Sequence, residues 1–171
     1  PAWDHSQPDE RNAEQVAESL AIVEENLKRF PNEVVGIIVE PIQGAGGHRV
    51  ASAKFFQELS RLAHEYDVSL GFDEVQTAGG QTGSIFAVDQ FNLPYSPQAV
   101  ATAKKFENGV IYMLYPMEDR GILDSTWGGS LADMVRFVQE MKIIEREKLI
   151  EQVGEKATLL TGELNRLTRQ F

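Results

Sequence analysis

Residues 68–77 read Val-Ser-Leu-Gly-Phe-Asp-Glu-Val-Gln-Thr, a short apolar run that ends in two carboxylates. The run at residues 68–72 predicts a strand, and Asp73 follows directly at its carboxyl end. In open α/β sheets, ligands bind in the crevice outside the carboxyl ends of the parallel strands. The position of Asp73 therefore predicts that this stretch forms one wall of a ligand site.

A second strand precedes this one, and a helix separates the two. Residues 34–39 form a continuous apolar, β-branched run, which is typical of a strand that a parallel sheet buries on both faces. Ser52 is placed to cap the following helix. The apolar stripe of that helix consists of Phe55, Phe56, Leu59, Leu62, Ala63 and Tyr66. Strand, helix and strand predict a right-handed βαβ unit and hence an α/β fold with a mostly parallel sheet.

Three polar side chains follow three predicted strands. Residues 99–103 predict the third strand, with Lys104 at its end, and Glu40 follows the strand at residues 34–39. Because the carboxyl ends of parallel strands lie at one edge, we expect Glu40, Asp73 and Lys104 to converge on one crevice. A carboxylate and an amine placed together indicate Schiff-base chemistry. A pyridine-ring cofactor that acts as an electron sink needs a carboxylate at its ring nitrogen and an amine for its aldehyde.

The same residues also fit ordinary structural roles. Asp73 or Glu74 in this position suits a helix cap or a solvent-facing turn, and Lys104 suits a surface lysine. The glycine-rich stretch at residues 40–48 fits either a ligand loop or a flexible connection, because it lacks a phosphate-loop pattern with a trailing Lys-Ser/Thr. His64, beside the apolar stripe, fits a helix-surface or packing role. The residues by themselves leave these alternatives open.

Composition narrows the class of protein. The 171 residues suffice for one domain with a core, and the apolar and charged fractions are ordinary for a globular protein. The net charge of -10 argues against a nucleic-acid partner, because phosphate contacts need clustered Lys and Arg. The chain has no cysteine, so disulfides and thiolate metal sites are excluded and cytoplasm is the expected location. We predict no metal site. We also predict no membrane partner, since no apolar run is long enough to span a bilayer.

Further helices are predicted at both ends of the chain. The first spans residues 8–30 and ends before Pro31. Its apolar positions are Val16, Leu20, Val23, Leu27 and Phe30. The last starts around Leu149 and runs to the final residue without a cap. Its stripe consists of Val153, Ala157, Leu160, Leu164, Leu167 and Phe171. This ending, and a beginning without Met, lead us to expect a piece of a longer protein.

Residues 109–130 add a strand, a loop and the start of another helix. Residues 109–115 predict a further strand of the sheet, which can pair antiparallel with its neighbour. Residues 125–130 read Ser-Thr-Trp-Gly-Gly-Ser ahead of a predicted helix. Hydroxyl donors at a helix start suit an anion, although N-capping accounts for the same residues. The apolar set of that helix is Leu131, Met134, Val135, Val138 and Met141.

Four stretches, taken in this order, resemble the class III, ornithine/GABA-type aminotransferases that use pyridoxal 5'-phosphate, and among them the lysine and 4-aminobutyrate branch. They are Val-Glu-Pro-Ile-Gln at 39–43, Phe-Asp-Glu-Val-Gln-Thr at 72–77, Thr-Ala-Lys-Lys at 102–105 and Ser-Thr-Trp-Gly-Gly at 125–129. The resemblance covers most of the chain. It implies the second half of a fold-type I cofactor domain at residues 1–147 and the beginning of the small C-terminal domain at residues 148–171.

The resemblance implies a role for each matching position. Asp73 would pair with the pyridinium nitrogen, Val75 would pack on one face of the ring, and Gln76 would hydrogen-bond the phenolic oxygen. Lys104 would hold the cofactor as an imine and, once displaced by substrate, shuttle the proton between carbon atoms. Lys105 is taken as a surface neighbour.

Other matching positions concern the phosphate, the substrate and the partners. Thr126, with Ser125 close by, would cross the interface of a homodimer to bind the cofactor phosphate of the other subunit. Glu40 and Gln43 would line the substrate side or brace the sheet edge. The implied reaction moves an amino group, a terminal one in the lysine and 4-aminobutyrate branch, from a small amine to a 2-oxo acid such as 2-oxoglutarate.

The chain departs from the family pattern at three points. Ala45 stands where the lysine and 4-aminobutyrate branch usually has a Glu that switches its salt bridge to an Arg, so the amino donor stays open. Ser130 stands where Asn is frequent. The family's phosphate loop and substrate-carboxylate Arg have no counterpart among the 171 residues, which are therefore expected to be inactive alone. Another class III transaminase, a racemase and a non-catalytic α/β interaction module are the alternative readings.

Overall fold

A four-stranded sheet connects the elements of the chain. The structure is a computed structural model, and it describes residues 3, 4, 6–116, 118 and 126–170. The elements in chain order are α1 (Asp9–Arg29), β1 (Gly36–Val39), β2 (Ile42–Gln43), β3 (Arg49–Val50), α2 (Ala53–Glu65), β4 (Ser69–Asp73), β5 (Ala99–Thr102), β6 (Val110–Met113), α3 (Leu131–Arg146) and α4 (Val153–Thr168). The spatial order of the main sheet is β1-β4-β5-β6, and β2 and β3 form a separate hairpin.

The parallel part of the sheet contains the predicted βαβ unit. β1 and β4 pair in parallel, with Gly36 opposite Ser69 and Val39 opposite Phe72. β5 adds to the other side of β4 in parallel, and β6 pairs antiparallel with β5. The predicted α/β fold with a mostly parallel sheet is therefore confirmed, and β6 takes the antiparallel option.

Helices α1 and α2 cover one face of the sheet with an aromatic core. Ser52 caps α2 as predicted, and its hydroxyl accepts a hydrogen bond from the Phe55 backbone N–H at 3.4 Å. The apolar stripe of α2 meets the inward side chains of β4, and Phe56 stacks on Phe91 with ring centroids 4.2 Å apart. The buried cluster consists of Val16, Phe55, Phe56, Leu59, Ala63, Leu70, Phe72 and Val88.

Tyr66, the last member of the predicted stripe, joins α2 to α1 near the surface. Its hydroxyl donates to Glu24 Oε1 at 3.1 Å, and Lys28 Nζ lies 2.8 Å from the same oxygen. Hydrogen bonds from Lys28 and then Tyr66 lower the pKa of Glu24 below its usual range. Since the pKa is lowered in the folded state, this contact stabilises the fold above the ordinary glutamate pKa and is lost as the pH falls through the lowered value.

The prediction that the strand at residues 34–39 is buried on both faces is wrong for this chain. Ile37 and Val39 pack against the core, whereas the side chain of Ile38 is 82% exposed and Val35 is exposed as well. The reason is that α1 and α2 cover only one face, and no other described element covers Ile38. The continuous apolar run marks a strand correctly but does not reveal which face this chain covers.

The helices at residues 8–30 and 149–171 differ from prediction in their ends and burial. α1 ends at Arg29, so Phe30 turns outward as the C-cap residue, and the Arg29 guanidinium lies 5.3 Å from its ring. α4 begins at Val153, and none of its described residues is buried. Its predicted stripe therefore faces solvent in this chain, because no described element packs on it; Phe171 lies outside the described residues.

The predicted apolar set of α3 is also largely exposed. Leu131, Met134, Val135 and Val138 are exposed, while Ile144 is the buried residue of the helix. α3 is held instead through Phe137, whose ring stacks on Phe106 with centroids 4.8 Å apart. In the part of the chain that the structure describes, no helix is long and apolar enough to cross a membrane.

We predict that the aromatic contact between α2 and the segment before β5 is a main source of stability. Phe56→Ala removes a side chain that is 1% exposed, and such a truncation costs about 3–5 kcal/mol through lost burial and the cavity left behind. Ile22→Ala, on the exposed side of α1, should change the free energy of unfolding by less than about 0.5 kcal/mol. Urea denaturation measures both changes. Similar losses for the two variants would contradict the described core.

Candidate active site

Asp73 and Lys104 lie at the carboxyl ends of neighbouring parallel strands. Asp73 is the last residue of β4 and stands opposite Ala101 of β5, and Lys104 follows Ala101 by three residues along the chain. Glu40 directly follows Val39, the last residue of β1. The backbone thus brings these three sequence positions to one edge of the sheet.

The side chain of Asp73 is fixed through one of its two oxygens. Oδ1 accepts a hydrogen bond from the Val75 backbone N–H at 3.0 Å, and the residue is half-buried. Among the described residues, Oδ2 accepts no hydrogen bond. One carboxylate oxygen therefore orients the group, and the other keeps its capacity to accept a proton or a hydrogen bond from a ligand.

Lys104 occupies a backbone conformation that non-glycine residues rarely adopt. Its φ is +43°, in the left-handed region, at the start of a 3-10 turn over Lys104–Phe106. Residues held in this region cost of the order of 1–3 kcal/mol and cluster at functional sites. Its side chain is exposed, and within the described ranges its ammonium forms no hydrogen bond or ion pair. The amine is therefore held at the sheet edge without a partner in this chain.

The β2–β3 hairpin folds back onto the turn that follows Asp73. The Gly44 backbone N–H donates to Glu40 Oε2 at 3.1 Å, and the Gln76 side-chain amide lies so close to Gly44 that a Cβ there would overlap it. Any larger residue at Gly44 would therefore displace the Gln76 side chain. Glu40 and Gln76, which are 36 positions apart in sequence, meet through this residue. The prediction of a loop at residues 40–48 missed β2, and no strand was predicted at β3.

A cavity of about 230 Å³ lies beneath the hairpin. Its lining consists of Val39, Glu40, Gln43, Arg49, Ala51, Phe55 and Phe56. Glu40 and Gln43 thus border an open space, whereas neither Asp73 nor Lys104 lines it. Arg49 was not among the residues singled out from sequence, and no motif there marked it. Ala45 is exposed in the turn of the same hairpin and brings no carboxylate to it.

Glu74 is the residue of the turn whose contacts the sequence did not predict. Its side chain is fully buried, and all of its partners are donors. The Thr77 hydroxyl donates to Oε2 at 2.7 Å, and the backbone N–H groups of Ala87 and Val88 donate to Oε2 and Oε1, each at 2.8 Å. The sequence-based alternatives for Glu74 were a helix cap and a solvent-facing turn, and its complete burial contradicts the second. Nothing in the sequence around Glu74 could distinguish a helix cap from a solvent-facing turn.

The glycine loop after the turn packs against the lysine pair. Gly79 has φ +105°, and a Cβ there would overlap Lys105 Cγ and lie 2.8 Å from Lys105 Cβ. Lys105 is exposed, as expected for a surface neighbour, but its stem rests on Gly79. The loop that begins at Asp73 therefore contacts the residue next to Lys104.

Among the described residues, the remaining predicted positions make no hydrogen bond to Asp73, Lys104 or Glu40. Thr126 is exposed in a turn before Ser130, which caps α3 by accepting a hydrogen bond from the Asp133 N–H at 3.5 Å. Ser125 lies outside the described residues. In the described part of the chain, Thr126 makes no hydrogen bond to the sheet edge. His64 stacks on Tyr95 with ring centroids 3.7 Å apart, which agrees with the packing role predicted for it.

The chain is similar to solved structures of aminotransferases. Lysine aminotransferase from M. tuberculosis in the internal aldimine form has a TM-score of 0.91 and 31% identity, and the match covers 100% of this chain and 41% of that chain. An (S)-enantioselective omega-transaminase from Thermomicrobium roseum has a TM-score of 0.81 and 25% identity, over 92% of this chain and 38% of that chain. Fold and sheet edge thus define part of a fold-type I pyridoxal-phosphate enzyme.

The sequence comparisons give the family. The model of the family Aminotransferase class-III matches residues 2–171, and the chain belongs to this family. L-lysine-epsilon aminotransferase from Mycobacterium tuberculosis is 34% identical over 165 residues, which are 91% of this chain and 36% of that protein. 4-aminobutyrate aminotransferase from Schizosaccharomyces pombe is 34% identical over 166 residues, 94% of this chain and 34% of that protein. The predicted family and its cofactor, pyridoxal 5'-phosphate, are therefore confirmed. The chain spans about a third of the length of these relatives.

We predict that the contact between Gly79 and Lys105 contributes to stability beyond the backbone effect. Gly83 has φ +101° and open space where a Cβ would stand, so Gly83→Ala tests the backbone strain alone. Gly79→Ala adds a clash with the Lys105 stem, and overpacking of this kind costs about 1–3 kcal/mol more. Urea denaturation of the two variants measures the difference. Equal losses would show that the loop does not rest on Lys105.

Proposed function

We propose that this chain forms the lysine and aspartate side of the active site of an aminotransferase that uses pyridoxal 5'-phosphate. The observation that carries the proposal is the pairing of two unsatisfied groups at one sheet edge. Asp73 keeps one carboxylate oxygen without a hydrogen bond, and Lys104 keeps an amine without a partner, both judged among the described residues. These are the groups that a pyridine nitrogen and an aldehyde require, so the donor set fits the cofactor.

The chemistry divides between the cofactor and the chain. When bound, pyridoxal phosphate supplies a conjugated ring that accepts the electrons of a breaking C–H bond. Asp73 would hold a proton at the ring nitrogen, and the Val75 N–H would keep the carboxylate oriented for this role. Lys104 would be the amine that holds the cofactor aldehyde, and its free Nζ would take up and return the proton of the breaking C–H bond. Val75 and Gln76 would position the ring.

For the substrates, we propose transfer of a terminal amine, such as that of lysine or 4-aminobutyrate, to a 2-oxo acid such as 2-oxoglutarate. The names of the two relatives, a lysine-epsilon and a 4-aminobutyrate aminotransferase, support the terminal amine. Glu40 and Gln43, which line the cavity beneath the hairpin, would lie on the substrate side. Ala45 favours a second candidate, another class III transaminase or racemase, because the hairpin turn offers no carboxylate at that position.

We further propose that the complete enzyme is a homodimer in which Ser125 and Thr126 bind the cofactor phosphate of the partner subunit. The apolar surface beside Thr126 supports this arrangement, since Trp127 is 83% exposed and Leu131 is exposed next to it. Solvent-exposed apolar patches of this kind mark interaction sites. We also propose a cofactor domain at residues 1–147 and a small domain that begins at residue 148. A cytoplasmic location is likewise a proposal.

The proposed site predicts that the cofactor attaches selectively to Lys104. Borohydride reduction of the chain with pyridoxal phosphate, followed by peptide mapping, should place the label mainly on Lys104. Lys104→Arg keeps the positive charge but removes the reactive amine, so the selective label should disappear. Lys105→Arg is the matched control and should retain it. Random labelling of all lysines, or labelling that survives Lys104→Arg, would contradict the proposed site.

The second prediction concerns turnover by the 171 residues. We propose that they do not catalyse amino transfer alone, because they match only about a third of each relative's length. The chain incubated with pyridoxal phosphate, 2-oxoglutarate and either lysine or 4-aminobutyrate should form no glutamate above a protein-free blank. Steady glutamate formation that Lys104→Arg abolishes would contradict this proposal while supporting the assigned lysine.

A further inference from the structure

Glu74 joins two separate segments of the chain through its side chain. It is 0% exposed, and it accepts hydrogen bonds from Thr77 within its own turn and from Ala87 and Val88 in the segment before β5. No Lys, Arg or His among the described residues forms an ion pair with it. The carboxylate is therefore stabilised in the interior by three directed hydrogen bonds rather than by an opposite charge.

The backbone of Glu74 joins the same turn to the neighbouring strand. Its N–H donates to the Ala101 carbonyl of β5 at 2.8 Å, and its own carbonyl accepts from the N–H groups of Thr77 and Ala78 at 3.2 and 3.0 Å. Asp73 immediately precedes it, and Ala101 lies three residues before Lys104. Glu74 is thus bonded on one side to the strand end that carries Asp73 and on the other to the strand that leads to Lys104.

Filling the space at Glu74 does not require a carboxylate. An apolar side chain of similar size would occupy the volume but would leave two backbone N–H groups and a hydroxyl without acceptors in the interior. Apolar packing is also non-directional, whereas three hydrogen bonds to two oxygens fix both the position and the rotation of the group. The observed arrangement therefore specifies geometry at the turn as well as stability.

We propose that Glu74 is a positioning residue that sets the placement of Asp73 relative to Lys104. The proposal rests on the proposed function, because it assigns Glu74 a role toward the cofactor site that Asp73 and Lys104 form. Glu74 contacts neither substrate nor cofactor in this proposal. It acts by holding residues 73–78 between β5 and the segment at residues 87–88.

The test uses Glu74→Gln and the pair Thr77→Val and Thr77→Ser. Gln places a donor where the carboxylate meets only donors, so at least one N–H of residues 87–88 loses its acceptor. Thr77→Val removes one donor to Glu74, whereas Thr77→Ser keeps the hydroxyl. Glu25→Gln, on the exposed side of α1, is the control for loss of one negative charge.

The first readout is the fraction of borohydride-trapped pyridoxal phosphate on Lys104 relative to the other lysines, measured at a temperature where circular dichroism shows each variant folded. We expect Glu74→Gln to lower this selectivity at least about fivefold and Thr77→Val to lower it to a smaller extent. Thr77→Ser and Glu25→Gln should match the wild-type chain. Wild-type selectivity in folded Glu74→Gln would overturn the proposal. If Glu74→Gln does not fold, equal selectivity in the two Thr77 variants overturns it.

The second readout needs no cofactor, so it separates this proposal from the proposed function. The backbone amide resonances of Asp73, Val75 and Lys104 should shift in Glu74→Gln and stay in place in Glu25→Gln. Failure of the wild-type chain to label Lys104 would refute the proposed cofactor site alone. Unchanged amide resonances at the turn in Glu74→Gln would refute the positioning role alone.

Discussion

The buried carboxylate of Glu74 is the interaction on which the arrangement of the sheet edge depends. Side-chain hydrogen bonds to Thr77 and residues 87–88, and a backbone bond to Ala101, hold one turn against two other segments. A buried acceptor group is tolerated only when donors satisfy it, so the three segments must come together for the chain to fold. The turn that begins at Asp73 is consequently fixed before any ligand binds. Such preorganisation suits the role proposed for Asp73, which is to contact the ring nitrogen of the cofactor.

The edge that results presents the two proposed cofactor-binding groups on a rigid support. Asp73 is oriented by the Val75 N–H, and Lys104 leaves β5 in a left-handed conformation that a relaxed chain would avoid. The strain at Lys104 is maintained by β5 before it and by the buried Phe106 after it. The hairpin follows the carboxyl end of β1, where the Gly44 backbone N–H binds Glu40 and the Gln76 side chain lies against Gly44. The chain belongs to the aminotransferase class-III family, and the cofactor roles proposed for Asp73 and Lys104 are based on this membership.

Sequence reasoning predicted the elements that a repeating pattern specifies. The stripe of α2 and the apolar runs of β1 and β4 identified the βαβ unit. The runs of β4 and β5 placed Asp73 and Lys104 at strand ends. It could not predict what covers an apolar face, so Ile38 was expected in a core that this chain does not provide for it, and nothing in the stripe of α4 indicated its exposure. The two-residue strands of the hairpin are too short for periodicity to reveal. The role of Glu74 depends on donors 13 and 14 positions away, which no local pattern records.

A crystal structure of the chain grown with pyridoxal phosphate tests the central claim most directly. If Asp73 and Lys104 form the cofactor site, the electron density should be continuous from Lys104 Nζ to the cofactor, and the ring nitrogen should lie within about 3 Å of the Asp73 carboxylate. The turn at residues 73–78 should keep the hydrogen bonds of Glu74. Cofactor density attached to another lysine, or a ring nitrogen that does not contact Asp73, would contradict the account.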